Sequence, residues 1–192
     1  FAPGMEVDMS QGGALLDFGN GSTYRSMEAF SGELTRNADS FTGGIGKDEC
    51  KGSGGADQLF GRAGFDTLEG DNGDDFLEGG TGRDVLKGGN GADTFYFADA
   101  IQDADRIMDF DGSEGDRIQL SGAGFGIIGP LSVTDFQTST DNVAQTPGTR
   151  LIFETDTATL WFDSDGDGFE LPIAIVRLQS GAVLGISDFV IA

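Results

Sequence analysis

The chain has 192 residues, with 33 acids against 11 bases, no histidine and a formal charge of −22. That balance excludes a nucleic-acid surface, which needs clustered Lys and Arg, and the missing His excludes a His-Glu-x-x-His zinc site. It also sets strong self-repulsion against folding unless cations neutralise the carboxylates, while 16 Phe give the chain apolar mass to fold once they do. No apolar run reaches the roughly 20 residues of a membrane helix, and no signal-peptide pattern opens the sequence. Beginning on Phe1 rather than Met, the chain reads as a piece of something longer.

Residues 1–33 hold short apolar runs at 7–9 and 15–18, read as strands, and a helical turn over 24–30. Together they form a cap leading into the next zone.

Residues 34–96 repeat one nine-residue phrase, Gly-Gly-x-Gly-x-Asp-x-apolar-x, a pattern known for binding calcium in parallel β-helices. Six intact copies start at Gly43, Gly52, Gly61, Gly70, Gly79 and Gly88, and a worn copy starts at Leu34. The sixth position is Asp39, Asp48, Asp57, Asp66, Asp75, Asp84 and Asp93; the eighth is Phe41, Cys50, Leu59, Leu68, Leu77, Leu86 and Phe95. Cys50 has no disulfide partner and stands in the apolar column, so it reads as a small buried hydrophobe.

Glycines at positions one, two and four (Gly44, Gly46, Gly55, Gly64, Gly73, Gly80, Gly82, Gly89 and Gly91 among them) permit backbone angles that a side chain forbids. The turn can then aim its carbonyls inward. Carbonyls plus an Asp carboxylate make a hard-oxygen cage, which suits calcium and its six to eight ligands. The last three residues form a short strand with its middle residue inward. Two copies make one coil, so turns stack on second neighbours and each ion lies between copies n and n+2. The expected pairs are Asp39 with Asp57, Asp48 with Asp66, Asp57 with Asp75, Asp66 with Asp84 and Asp75 with Asp93. With one more at each end, the count is about five to seven ions. Odd copies present Phe60, Phe76 and Tyr96 outward, a face too apolar to leave in water, so another part of the chain is expected to cover it.

Beyond residue 96 the period is lost and antiparallel strands are expected: residues 151–154 and 159–162 flank a polar turn as a hairpin, with further strands at 173–178 and 189–191. Asp105 or Asp109 could complete a site at the end of the array. Asp163, Asp165 and Asp167 match the first half of an EF-hand loop, but its twelfth position is Ala174 rather than Glu, leaving either a different calcium site or a solvated turn. No long helix is predicted. The fold class is all-β, a parallel β-roll with an N-terminal cap (1–33), the repeats (34–96) and a C-terminal capping region with antiparallel strands (97–192).

The repeats resemble those of the RTX, or repeat-in-toxin, family. The resemblance continues through Gly91 to Phe95, Asp105 to Phe110 and Gly115 to Ser121, similar to the segment closing RTX rolls in serralysin-type proteases and mannuronan epimerase modules. Leu160 to Gly168 and the tail Asp188 to Ala192 are similar to segments near the end of secreted RTX proteins. The resemblance implies a right-handed roll that folds on meeting extracellular calcium, export from a Gram-negative bacterium through a type I secretion channel, and a non-enzymatic module whose activity resides in other domains. A polysaccharide- or surface-binding module is the alternative, favoured if Trp161, Tyr24 or Tyr96 stands exposed beside polar groups.

Overall fold

The computed structural model describes residues 6–8, 23–25, 29–100, 103–145, 147–166 and 170–192, the first two segments by backbone only. In chain order the strands are β1 (Glu6–Asp8), β2 (Thr23–Arg25), β3 (Ser31–Glu33), β4 (Ser40–Thr42), β5 (Glu49–Lys51), β6 (Gln58–Ala63), β7 (Thr67–Asn72), β8 (Phe76–Thr81), β9 (Val85–Asn90) and β10 (Thr94–Phe97). They continue as β11 (Asp105–Ile107), β12 (Arg117–Leu120), β13 (Phe136–Ser139), β14 (Leu151–Glu154), β15 (Thr159–Phe162), β16 (Ile173–Arg177) and β17 (Phe189–Ile191). The one α-helix among the described residues, Gly122–Phe125, is a single turn, and none is long and apolar enough to cross a membrane.

Alternate strands build two sheets. One runs β1-β2-β4-β6-β8-β10-β12-β17; the other runs β13-β14-β15-β16-β11-β9-β7-β5-β3. Within the array every pairing is parallel and in register at 18 residues, as in Leu59 beside Leu77 and Leu68 beside Leu86. The nine-residue period causes this: one copy carries the chain from one sheet to the other, and the next brings it back.

Between the sheets the eighth-position side chains form one closed column. Phe41, Cys50, Leu59, Leu68, Leu77, Leu86 and Phe95 are all buried, and Ile107 and Ile118 extend the column. Burying each Leu contributes about 1.5–3 kcal/mol. Only one apolar side chain per nine residues enters, so the array is thin in hydrophobic drive and must be held from its turns as well.

The cap differs from the sequence reading. Residues 23–25 are not a helical turn but strand β2, paired parallel with β4. Phe30 then folds back so that its ring fills the space a side chain on Gly32 would take, 2.7 Å from that glycine's notional Cβ, and it packs on Phe41 at 4.8 Å between centroids. The run at 15–18 lies outside the described residues.

The C-terminal region differs too. Among the described residues antiparallel pairing is confined to β14–β15 and β15–β16. β11, β12 and β17 instead extend the two parallel ladders of the roll, and β16 docks parallel on β11. The loss of period after residue 96 is a loss of constant spacing, not of the coil itself. Phe60, Phe76 and Tyr96 stack at 5.7 and 5.6 Å between centroids and are half-buried; the row shields itself in part, in place of the expected cover.

Candidate metal centre

The sixth-position aspartates lie in two columns, one at each edge of the roll, and all seven are buried. Five of them reach back two copies. Oδ1 of Asp57, Asp66, Asp75, Asp84 and Asp93 accepts from the backbone N–H of Asp39, Asp48, Asp57, Asp66 and Asp75 at 2.7–2.9 Å. These are the pairs expected from the repeat. Below them, Asp48 Oδ1 accepts from Phe30 N at 2.5 Å.

The other oxygen is the informative one. Oδ2 of Asp57, Asp66, Asp75, Asp84, Asp93 and Asp105 is buried without a hydrogen-bond partner. A buried carboxylate oxygen left unpaired is costly, so a column of them marks a missing positive charge. Asp39 and Asp48 are the exceptions: Asp39 Oδ2 accepts from Thr35 N and Oγ1, both at 2.8 Å, and Asp48 Oδ2 accepts from Gly44 N at 2.9 Å.

The first-position glycines locate the space. A Cβ on Gly43 would meet Asp48 Oδ2 at 2.3 Å and Gly61 O at 2.5 Å. The same arrangement recurs at Gly52 with Asp57 and Gly70, at Gly61 with Asp66 and Gly79, and at Gly70 with Asp75 and Gly88. Each is a cradle between a carboxylate oxygen and a carbonyl two copies on. These glycines do not have positive φ, so the sequence-based reason given for them is corrected: they are glycine because a methyl group would fill the cradle. Left-handed φ belongs to the fourth position, at Gly55, Gly64, Gly73, Gly82 and Gly91, and to the second at Gly80 and Gly89. Gly44 and Gly46 are not among the positive-φ glycines. At the second position Ser53, Arg62 and Asp71 adopt left-handed φ of 71–76°, a conformation that disfavours side chains.

Among the described residues no three acidic or thiol side chains converge as a metal cluster. The cradles therefore need backbone carbonyls for most of their oxygens, as hard-cation sites made by turns do. Oxygen-only donors, orphaned carboxylates and glycine-lined space fit calcium. When bound, the ion supplies the positive charge that these oxygens lack.

Burial pushes the carboxyls up, to about 7 for Asp57 and Asp93, about 6 for Asp66 and Asp75, and about 8 for Asp105. The backbone N–H each accepts opposes this, and neighbouring carboxylates reinforce it.

Two residues continue the columns at longer spacing. Asp105 Oδ1 accepts from Asp84 N at 2.9 Å, 21 residues back, and Asp116 Oδ1 accepts from Asp93 N at 3.0 Å, 23 residues back. Asp116 was missed by the period. Its signal is the triplet Asp-Arg-Ile, shared by Asp105 to Ile107 and Asp116 to Ile118, which keeps the Asp-x-apolar core of the repeat. Asp109 accepts from Gly88 N and Gly89 N, both at 3.0 Å.

Away from the roll, Asp163 is buried, with Oδ1 accepting from Gly166 N at 3.0 Å and Oδ2 unpartnered. Asp165 Oδ2 accepts from Glu170 N at 3.1 Å, and Asp167 lies outside the described residues. Trp161 is half-buried with its indole N–H donating to Glu154 at 3.0 Å; the side chain of Tyr24 is outside the described residues.

The RTX calcium-binding nonapeptide repeat model (four copies) matches residues 35–68, 51–86 and 69–99, the same stretch that carries the aspartate columns. The chain belongs to the RTX family. Its repeats bind calcium. Among solved structures, the RTX chain is similar to the solution structure of the AlgE6R3 subunit from the Azotobacter vinelandii mannuronan C5-epimerase, at 32% identity over 80% of this chain and 78% of that one, with a TM-score of 0.35. No curated protein matches it.

The geometry separates two aspartates. Asp66→Ala removes the acceptor of a buried N–H, costing about 1–3 kcal/mol, and strips an orphaned oxygen from one cradle. Asp39→Ala removes an oxygen already satisfied by Thr35. Calcium titrations are expected to show a several-fold higher folding midpoint for Asp66→Ala and a smaller shift for Asp39→Ala; equal shifts would contradict this assignment.

Proposed function

We propose that this chain is a non-enzymatic module of a larger exported protein, folding where calcium is plentiful and carrying an export tail. The supporting observation is the buried, unpartnered Oδ2 column of Asp57, Asp66, Asp75, Asp84, Asp93 and Asp105. The ligands are the sixth-position aspartates with carbonyls of the first, second and fourth positions, taking about five to seven ions in all. Asp163 with Asp165 is a further candidate, through its own orphaned oxygen. Ion binding and folding are one process, because the cradles exist only once the coils stack. A Gram-negative cytoplasm poor in calcium would keep the chain unfolded for a type I channel, and calcium outside would fold it.

Residues 188–192 are assigned to export. In the folded chain they are occupied: β17 pairs with β12, Ala192 N donates to Leu120 O at 3.0 Å, and Gly122 N donates to Ala192 O at 2.7 Å. Deleting them is expected to abolish secretion by a type I system. The purified chain should still fold in calcium, destabilised by about 2–4 kcal/mol for the lost burial of Phe189 and Ile191. Normal secretion of the truncated chain would remove the tail from the proposal.

The half-buried row Phe60, Phe76 and Tyr96, with Arg62 and Glu78 lining a shallow pocket beside Phe60, favours a second reading as a polysaccharide-binding face. That reading ends if affinity electrophoresis finds no glycan that retards the calcium-loaded chain.

A further inference from the structure

Asparagine is followed by glycine at Asn20, Asn72 and Asn90; Asn20 lies outside the described residues. Asparagine is chemically labile, and a following glycine has no side chain to hinder attack of its nitrogen on the amide. Asn72 and Asn90 end β7 and β9, pair across the ladder and are exposed. They hold the same turn position, one coil apart, yet the fold treats them differently. The Asn72–Gly73 peptide is pinned at both ends: Asn72 O accepts from Gly55 N and Gly73 N donates to Asn90 O, each at 2.9 Å. Its side chain is pinned too, Nδ2 donating to Ser53 O at 3.2 Å and Oδ1 accepting from Asn90 Nδ2 at 3.0 Å. The Asn90–Gly91 peptide is held at its carbonyl alone; among the described residues nothing accepts from Gly91 N. The array has no further copy above it. The turn that follows bonds to itself instead, Glu114 N and Asp116 N both donating to Asp111 O, at 3.0 and 3.3 Å.

We propose that Asn90–Gly91 is a site of spontaneous deamidation in the folded chain, and that the fold protects the same pair at Asn72–Gly73. The Gly91 nitrogen gives its proton to water and attacks Asn90 Cγ. The Cγ–Nδ2 bond breaks, and the amide nitrogen takes up a proton and leaves as ammonia. Water then opens the cyclic imide at either carbonyl, giving aspartate or isoaspartate; no oxidant or reductant is needed. A reaction within one chain requires only that nitrogen and Cγ meet. Gly91 N is available for this, whereas Gly73 N must first break its bond to Asn90 O. The product sets a carboxylate where Asn90 Nδ2 now donates to Asn72 Oδ1. Isoaspartate also adds a backbone atom just before Gly91, whose notional Cβ lies 2.0 Å from Gly73 O. The aged chain therefore needs more calcium to fold, a consequence that rests on the reading of the turn carbonyls as ligands.

The test is to age the full chain at mildly alkaline pH, folded in calcium and unfolded in urea, and to map deamidation by peptide mass spectrometry. The urea arm gives the intrinsic Asn90-to-Asn72 rate ratio set by neighbouring residues. One backbone hydrogen bond of ordinary net strength corresponds to roughly a two- to tenfold change in rate, so the ratio is expected to rise by about that factor in the fold. An equal ratio in both arms overturns the proposal, and so does an Asn90 that stays intact in calcium. Calcium titration after ageing tests the consequence. The aged parent should fold at higher calcium than fresh protein, and Asn90→Gln aged alongside should match its own fresh sample. Equal shifts in both, with deamidation mapped to Asn90, would overturn the calcium consequence while the modification site stands.

Discussion

Gly70→Ala will remove one calcium ion and raise the calcium needed for folding about tenfold or more. Gly70 has no positive φ, so alanine is not excluded by its backbone. Its methyl group would instead stand 2.2 Å from Asp75 Oδ2 and 2.7 Å from Gly88 O, in the volume assigned to the ion. Overpacking alone costs about 1–3 kcal/mol; the lost ion adds the free energy its binding contributed to folding. Gly54→Ala is the control. It lies in the same array, also without positive φ, and its nearest neighbour would be Asn72 O at 3.6 Å, so it should change stability by no more than about 0.5 kcal/mol. Calcium titrations followed by circular dichroism compare the two. Equal midpoints would show that the first-position glycine serves something other than the ion.

Without calcium, protons will do part of the ion's work. The buried carboxyls of Asp57, Asp66, Asp75, Asp93 and Asp105 are raised to about 6–8 in the fold, against about 3.9 in an unfolded chain. Groups raised on folding contribute stability that is fully present below the unfolded value and lost as pH rises through the folded value. The calcium-free chain is therefore expected to resist urea best near pH 4 and to lose that resistance progressively as pH rises from about 4 to about 8. Calcium-loaded protein should show the opposite trend in acid, since protons then compete with the ion for the same oxygens. Urea unfolding in chelator across this range tests the sign; resistance that rises with pH would contradict it.

The sequence made the roll legible because two columns, aspartate at position six and an apolar residue at eight, bind the chain to one geometry. A change of register would bury the one and expose the other, so Leu59, Leu68 and Leu77 identified both sheets. The aspartate pairing followed from the same count. The role of the first glycine did not, because a residue kept small for an ion's volume and one kept small for its φ look alike in sequence. Asp116 was hidden because its turn is longer, though the Asp-x-apolar triplet survives there. The strand at 23–25 and the parallel placement of β11, β12 and β17 depend on partners supplied by the finished ladder, not on local pattern.

The central claim is that ions in the turn cradles and the β-roll itself are one cooperative structure. Far-UV circular dichroism at pH 7.5, in excess chelator and then in millimolar calcium, tests it most directly. The account predicts loss of the β spectrum in chelator, with −22 of charge unopposed, and its recovery when calcium is returned. A β spectrum unchanged after complete calcium removal would contradict it.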